Sequence, residues 1–277
     1  MNSTLWGQSD ALYTSGVLFS LWALLAGAPF WAACAFGVAL SVKIQAIFFA
    51  PMLVGYLLRW RQTRWYVFVP PAVFILSVLP AWLGSGNLRY WLLIYLKEMG
   101  QYPYLSVSAQ SIFAFAQPLR LSAQTTSMLF WLGIIVAGVI AFGIMVLVWR
   151  LRALTPRALL VLSFAAVLLL PYFLPRMHER YFYLADFIST LFAFFVPRRA
   201  YVPVLVVTAS TLAYLPYLSS QVPALSGLHP DLRVPAALLL VPIGVALIEL
   251  YRYARAARLS MSASRYAIST SVKKLVL

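Results

Sequence analysis

Apolar stretches recur nine times along this chain, at residues 12–26, 30–42, 46–58, 65–83, 127–149, 158–174, 183–196, 201–219 and 234–251. In lipid every backbone polar group must be satisfied internally, so repeated runs of this kind fold as helices. The pattern predicts an all-α, polytopic transmembrane helical bundle of about nine spans, with residues 1–277 as a single integral membrane domain. Composition agrees, with 63% of residues hydrophobic and 10% charged, against about 45–50% and about 25% in soluble domains. Several runs are shorter than the ~20 residues of a free-standing span. Short spans persist when they are buried in protein or line a wet cavity.

The net charge of +15 does not point to nucleic acid, because of where the charges lie. Arg59, Arg61 and Arg64 share one gap between apolar runs, and Arg150, Arg152 and Arg157 share another. Arg198 and Arg199 sit in a third, and Arg252, Arg255, Arg258, Arg265, Lys273 and Lys274 fill the stretch 252–277. One crossing per run puts all four groups, fourteen of the twenty-one basic residues, on one side. The positive-inside rule makes that side cytoplasmic, with 252–277 as a basic cytoplasmic tail, and such groups also meet anionic lipid headgroups. The remaining polar gaps then face outward: the start to Asp10, 43–45, 84–126, 176–180 and 221–233. Asp10, Glu98, Glu179, Asp186 and Asp231, five of the six acidic residues, lie at or near this outer face. A transporter would hold its charges near mid-membrane; charges gathered at one face predict chemistry at one membrane surface.

The outer segment 84–126 is too long for a simple connector. Within it, 88–99 is expected to form an interfacial helix, with Leu88, Trp91, Leu92, Tyr95 and Leu96 on one side. The lone Cys34 excludes an internal disulfide and reads as a small buried residue. The first ten residues carry no basic region of a signal peptide. They open like the middle of a protein, so upstream spans are expected to be missing.

The costliest stretch is Pro175-Arg176-Met177-His178-Glu179-Arg180-Tyr181, an ionisable cluster between two apolar runs. Three potential cations (Arg176, His178 and Arg180) at a lipid–water boundary suit a lipid phosphate, since guanidinium forks match phosphate oxygens. Glu179 would orient one of them or bond a sugar hydroxyl. Asp186, seven residues on, shares a face with Glu179 about two turns deeper if one helix runs through both. The alternative is a snorkelling arginine pair with an internal Glu–Arg ion pair. Lys43 and Gln45 interrupt another apolar stretch, where a lysine needs a carboxylate, a phosphate or water. Gln8 and Asp10 lie on the same outer face and offer such a partner; the alternative is a purely structural Lys43–Asp10 pair. His229 and Asp231 read as solvated loop residues. With two histidines and one cysteine, no dedicated metal site is expected. No phosphate-loop, catalytic-triad or dinucleotide motif is present, so no cofactor is expected.

The same residues carry a family resemblance. The stretch Arg176 to Tyr183 is similar to the His-Glu-Arg/Lys motif of GT-C superfamily glycosyltransferases, most closely bacterial proteins related to the GPI-anchor mannosyltransferases. Trp6-Gly7-Gln8-Ser9-Asp10 resembles that family's Trp-Gly-Gln-x-Asp helix start. Leu40-Ser41-Val42-Lys43-Ile44-Gln45-Ala46 resembles its Leu-Ser-x-Lys-x-Gln-Ala segment. The resemblance implies a multi-pass enzyme of the bacterial inner membrane and cell envelope. It would transfer a hexose such as mannose from a polyprenyl-phosphate donor to a glycan, lipid or protein acceptor at the outer face. His178 and Arg180, helped by Arg176, would hold the donor phosphate. Glu179, Tyr181, Lys43, Gln45, Gln8, Asp10 and Asp186 would line the cavity. The family's usual catalytic aspartate lies in a first outer loop without a counterpart here, and Asp10 belongs to a different motif. The base is therefore expected upstream. A lipid flippase or transporter, and a non-catalytic membrane subunit, are the competing readings.

Overall fold

A computed structural model describes residues 9–94, 104–119, 121–151, 153–222 and 227–276. Each of the nine apolar runs lies in a helical segment. In chain order these are α1 (Asp10–Leu25), α2 (Pro29–Val42), a 3-10 turn (Ile44–Phe49) leading into α3 (Ala50–Leu58), and α4 (Val69–Ser85) after a second 3-10 turn (Arg64–Phe68). The short α5 (Leu88–Leu92) precedes α6 (Ala123–Arg150), α7 (Pro156–Phe173), α8 (Tyr183–Phe195), α9 (Tyr201–Gln221), α10 (Arg233–Leu238) and α11 (Leu240–Val276). Five segments are long and apolar enough to cross a membrane: Arg64–Ser85, Ala123–Arg150, Pro156–Phe173, Pro197–Ser219 and Arg233–Arg258. Asp10–Leu25, Pro29–Val42 and Ile44–Leu58 are shorter apolar helices. At about 1.5 Å per residue a 14-residue helix such as α2 falls short of the ~30 Å hydrocarbon core.

Helix α7 is the centre of the bundle. It is apolar on every face, and a helix of that kind belongs inside a protein; nearly its whole length is buried. Thr155 caps its start by accepting from the Ala158 N–H at 3.1 Å, with Pro156 at the first helical position. Within its buried length Ser163 returns its hydroxyl to the Leu159 carbonyl at 2.6 Å and Tyr172 donates to the Ala236 carbonyl at 3.2 Å, while Arg157 lies exposed in its first turn. Helices α1, α3, α6, α8 and α11 pack around it. Small residues let backbones approach, as in membrane bundles generally. A Cβ on Gly16 of α1 would lie 2.9 Å from the Ala39 Cβ of α2, and one on Gly55 of α3 would lie 2.6 Å from the Met145 carbonyl of α6.

One end of the bundle departs from pure helix. The connection from α4 to α6 carries β1 (Ser106–Val107), which pairs in parallel with β2 (Met177–His178) just after α7. Ser106 faces Met177 and Val107 faces His178, and the Arg176 N–H donates to the Leu105 carbonyl at 2.7 Å. Ser108 (φ 59°) and Arg176 (φ 60°) adopt the left-handed conformation at the junctions of this pairing. Hydropathy gave no sign of it. The helix expected over 88–99 ends at Leu92, capped at its start by Asn87, which accepts from the Tyr90 N–H at 2.9 Å; positions 95–99 lie outside the described residues. The stretch after Arg252 extends α11 through Val276. Cys34 is only half-buried on α2.

Candidate active site

Four segments bring their polar residues to the β1–β2 end. Asp10 is the first residue of α1 and is buried. Lys43 ends α2 in extended backbone (φ −158°, ψ 132°), and its ammonium forms an ion pair with Asp10. The same nitrogen sits 6.0 Å from the centre of the Tyr13 ring. Gln45, in the 3-10 turn that follows, is buried, and its Oε1 has no hydrogen-bond partner among the described residues. Gln8 lies outside the described residues.

His178 is 8% exposed, held by β1 on its backbone and with the Tyr181 ring 5.2 Å away. Burial first, then the charges of Arg180 and Lys43, push its pKa down to about 4. The imidazole is therefore neutral near pH 7, so burial leaves one of the three potential cations uncharged; the β-pairing that buries it has no signature in hydropathy. Its Nδ1 approaches Glu179 Oε2 at 3.9 Å, and with a neutral ring this is not an ion pair. Burial pushes the Glu179 carboxyl up, while Arg180 and Lys43 act in the opposite direction. Arg180 forms no ion pair with Glu179 among the described residues, so the alternative of an internal Glu–Arg ion pair is not made there. The Arg180 Nε is buried and lacks a hydrogen-bond partner among those residues. Arg176 is placed differently, with its guanidinium 4.5 Å from the centre of the Phe130 ring of α6.

Glu179 and Asp186 do not share one helix. A 3-10 turn (Glu179–Phe182) ends at Tyr183, and Asp186 lies in the first turn of α8. Asp186 Oδ1 accepts from the Ser210 hydroxyl at 2.7 Å, and Ser210 accepts from Gln110 Nε2 at 3.2 Å. Tyr214, four residues beyond Ser210 on α9, is within electrostatic reach of Glu179, Asp10, Asp186 and Arg180. Ser210 and Tyr214 escaped sequence reading because neutral polar residues in an apolar run carry no charge signal, and Gln110 because nothing singles it out within the long 84–126 segment. The i, i+4 spacing of Ser210 and Tyr214 on one helix face was the only hint.

The 227–233 loop is separate in kind. There Asp231 accepts from Arg233 Nε at 2.8 Å, and those bonds hold its carboxyl down to about 2. His229 Nδ1 lies 3.5 Å from the Ser219 hydroxyl.

A sequence profile of glycosyltransferase family 87 matches residues 1–175. The chain belongs to that family. Family 87 enzymes are membrane glycosyltransferases of the GT-C type, as the three sequence motifs imply. No curated protein and no solved structure matches the chain. The family 87 match takes in Asp10, Lys43, Gln45 and Gln110 and ends one residue before Arg176. This glycosyltransferase thus carries its His178-Glu179-Arg180 element just beyond the matched region, joined to it by the β1–β2 pair and by the proximity of Lys43 to His178.

Proposed function

We propose that this glycosyltransferase moves a hexose, with mannose as the guess by analogy, from a polyprenyl-phosphate donor to a glycan, lipid or protein acceptor. In this reading the site faces outward from a bacterial inner membrane and the C-terminus is cytoplasmic, in keeping with the placement of the basic groups. His178 and Arg180 hold the donor phosphate, Arg176 assists, and Lys43, Gln45, Glu179 and Tyr181 line the cavity around it. The observation that carries the reading is the open donor of Arg180: a buried guanidinium N–H without a partner among the described residues, beside a neutral imidazole and within the field of Lys43.

The chemistry fits. As the glycosidic bond breaks, negative charge grows on the departing phosphate, and preorganised donors stabilise it. A neutral imidazole still donates one N–H, and phosphate beside it favours uptake of a second proton. The donor's isoprenoid tail also needs an apolar path. A groove of about 510 Å³ begins at Ile47 and Phe48, beside Gln45, and runs between α3 and α6 past Val54, Ala137 and Met145. An inverting transfer needs a base for the acceptor hydroxyl; Asp10 is engaged by Lys43 and is a poor one.

The test is transfer from radiolabelled polyprenyl-phosphate sugar in membranes carrying the full-length enzyme. His178→Ala and Arg180→Ala are each expected to lower transfer by about 100-fold or more with expression unchanged. Normal transfer in both variants overturns the phosphate assignment.

A further inference from the structure

Beside the phosphate-holding residues lies a second polar group of different chemistry. Gln110 and Ser111, just after β1, are fully buried. The chain Gln110–Ser210–Asp186 ties the α4–α6 connection to α9 and α8. No basic side chain among the described residues pairs with Asp186. Three buried atoms on or next to this chain have no hydrogen-bond partner among the described residues: Gln110 Oε1, the adjacent Ser111 Oγ and the Tyr214 hydroxyl. Buried polar atoms are nearly always bonded, so several unbonded ones together mark a place for a polar guest.

The guest is not an anion. With no cation bonded into the group, the Asp186 carboxyl and the neutral hydroxyls and amides beside it offer phosphate no counter-charge and match vicinal hydroxyls, which both donate and accept. The Asp186 carboxyl offers oxygens to sugar hydroxyls, Gln110 Oε1 a further acceptor, and Ser111 and Tyr214 hydroxyls that serve either role. The group also lies next to the phosphate residues, since Tyr214 feels both Glu179 and Arg180.

We propose that Gln110, Ser111, Asp186, Ser210 and Tyr214 form the subsite for the sugar ring of the donor, and that they select which hexose is transferred. This rests on the lipid-phosphate reading of His178 and Arg180 and extends it from the phosphate to the sugar. A site that hydrogen-bonds substrate hydroxyls discriminates strongly, because a misplaced hydroxyl leaves its buried partners unpaired. Selectivity among epimers therefore resides at Asp186 and Gln110 rather than at the arginines.

The experiment measures binding to the full-length protein in nanodiscs. The ligands are undecaprenyl phosphate and its mannosyl, glucosyl and galactosyl derivatives. One glycosylated lipid is expected to bind about tenfold tighter than the bare phosphate. Asp186→Asn, Gln110→Ala and Ser210→Ala are each expected to remove most of that margin while leaving the affinity for bare undecaprenyl phosphate unchanged. Asp186→Asn keeps side-chain shape and guards against loss of fold, which thermal stability reports. Equal binding of bare and glycosylated lipids by the native protein overturns the proposal, as does a margin that survives all three variants; the group then holds water only. Failure of the phosphate reading looks different: bare undecaprenyl phosphate would bind Arg180→Ala as well as it binds the native protein.

Discussion

Lys43, at the break that ends α2, forms an ion pair with Asp10, the first residue of α1. The pair fastens two short helices to each other at the end of the bundle where the polar residues collect. Asp10 is 1% exposed and the Lys43 side chain 17%, so removing one partner takes the counter-charge from the other in a poorly solvated place. Lys43→Met is expected to cost about 3–5 kcal/mol, read as a lowered unfolding temperature in detergent. Asp10→Asn combined with Lys43→Met is expected to recover most of that loss. A double variant no more stable than Lys43→Met alone would show that the pair is not coupled.

The proton state of His178 gives a pH signature. Its folded pKa, about 4, lies below the ordinary 6.5, so between those values the unfolded chain binds more protons than the folded one. Stability is therefore full above about pH 6.5 and declines as pH falls toward 4. His178→Gln is expected to flatten that decline. Addition of undecaprenyl phosphate is expected to raise the His178 pKa, since an anion stabilises the imidazolium. Imidazole NMR in a chain with two histidines reads both effects; a titration unmoved by the lipid would place the phosphate elsewhere.

The two arginines of the motif are expected to separate. Arg180 presents a buried Nε without a partner among the described residues, whereas Arg176 stacks on Phe130 in a left-handed backbone conformation. Arg180→Ala should weaken donor binding by at least tenfold, the scale of a charge-assisted hydrogen bond. Arg176→Ala, the helper, should weaken donor binding less than Arg180→Ala and also lower stability, Arg176→Gly lowering stability less because glycine relieves the positive φ. Equal losses of donor affinity in Arg176→Ala and Arg180→Ala would make the two equal phosphate ligands, and no loss in Arg176→Ala would remove Arg176 from the phosphate.

How much of this was legible in the sequence depends on the cost of each residue in lipid. The helices were legible because unbroken apolar runs have no other way to satisfy their backbones. Lys43 and Asp10 were legible because a charge in such a run must find a partner, and they found each other. The charge state of His178 was not, because it depends on burial by β1, from a segment with no charge or period to mark its pairing. Gln110, Ser210 and Tyr214 were invisible for the converse reason. Ser210 and Tyr214 are neutral polar side chains that raise no alarm in an apolar run, and Gln110 lies in the polar 84–126 segment, where one more amide does not stand out. The Phe130 ring against Arg176 was not legible, because sequence spacing does not reveal that α6 comes beside it.

Gly133 of α6 tests whether the outer connection holds the motif in place. A Cβ there would lie 2.6 Å from the tip of the Phe113 ring, in the connection that carries β1, and 2.9 Å from the Phe173 carbonyl at the end of α7. The carbonyl cannot yield without moving the chain that leads into Arg176 and β2. Gly133→Ala is therefore expected to lower stability by about 1–3 kcal/mol, the usual cost of overpacking. It should also weaken donor binding, although Gly133 touches no site residue. Gly143→Ala is the control. It sits on the same helix with nothing within 4 Å of the added carbon, and alanine's better helix propensity makes it neutral or slightly stabilising. Thermal unfolding and lipid-phosphate affinity measured on both variants check this. If Gly133→Ala loses stability but keeps full affinity, the β1–β2 pairing survives displacement of Phe113, and the motif is positioned by α7 and α8 alone.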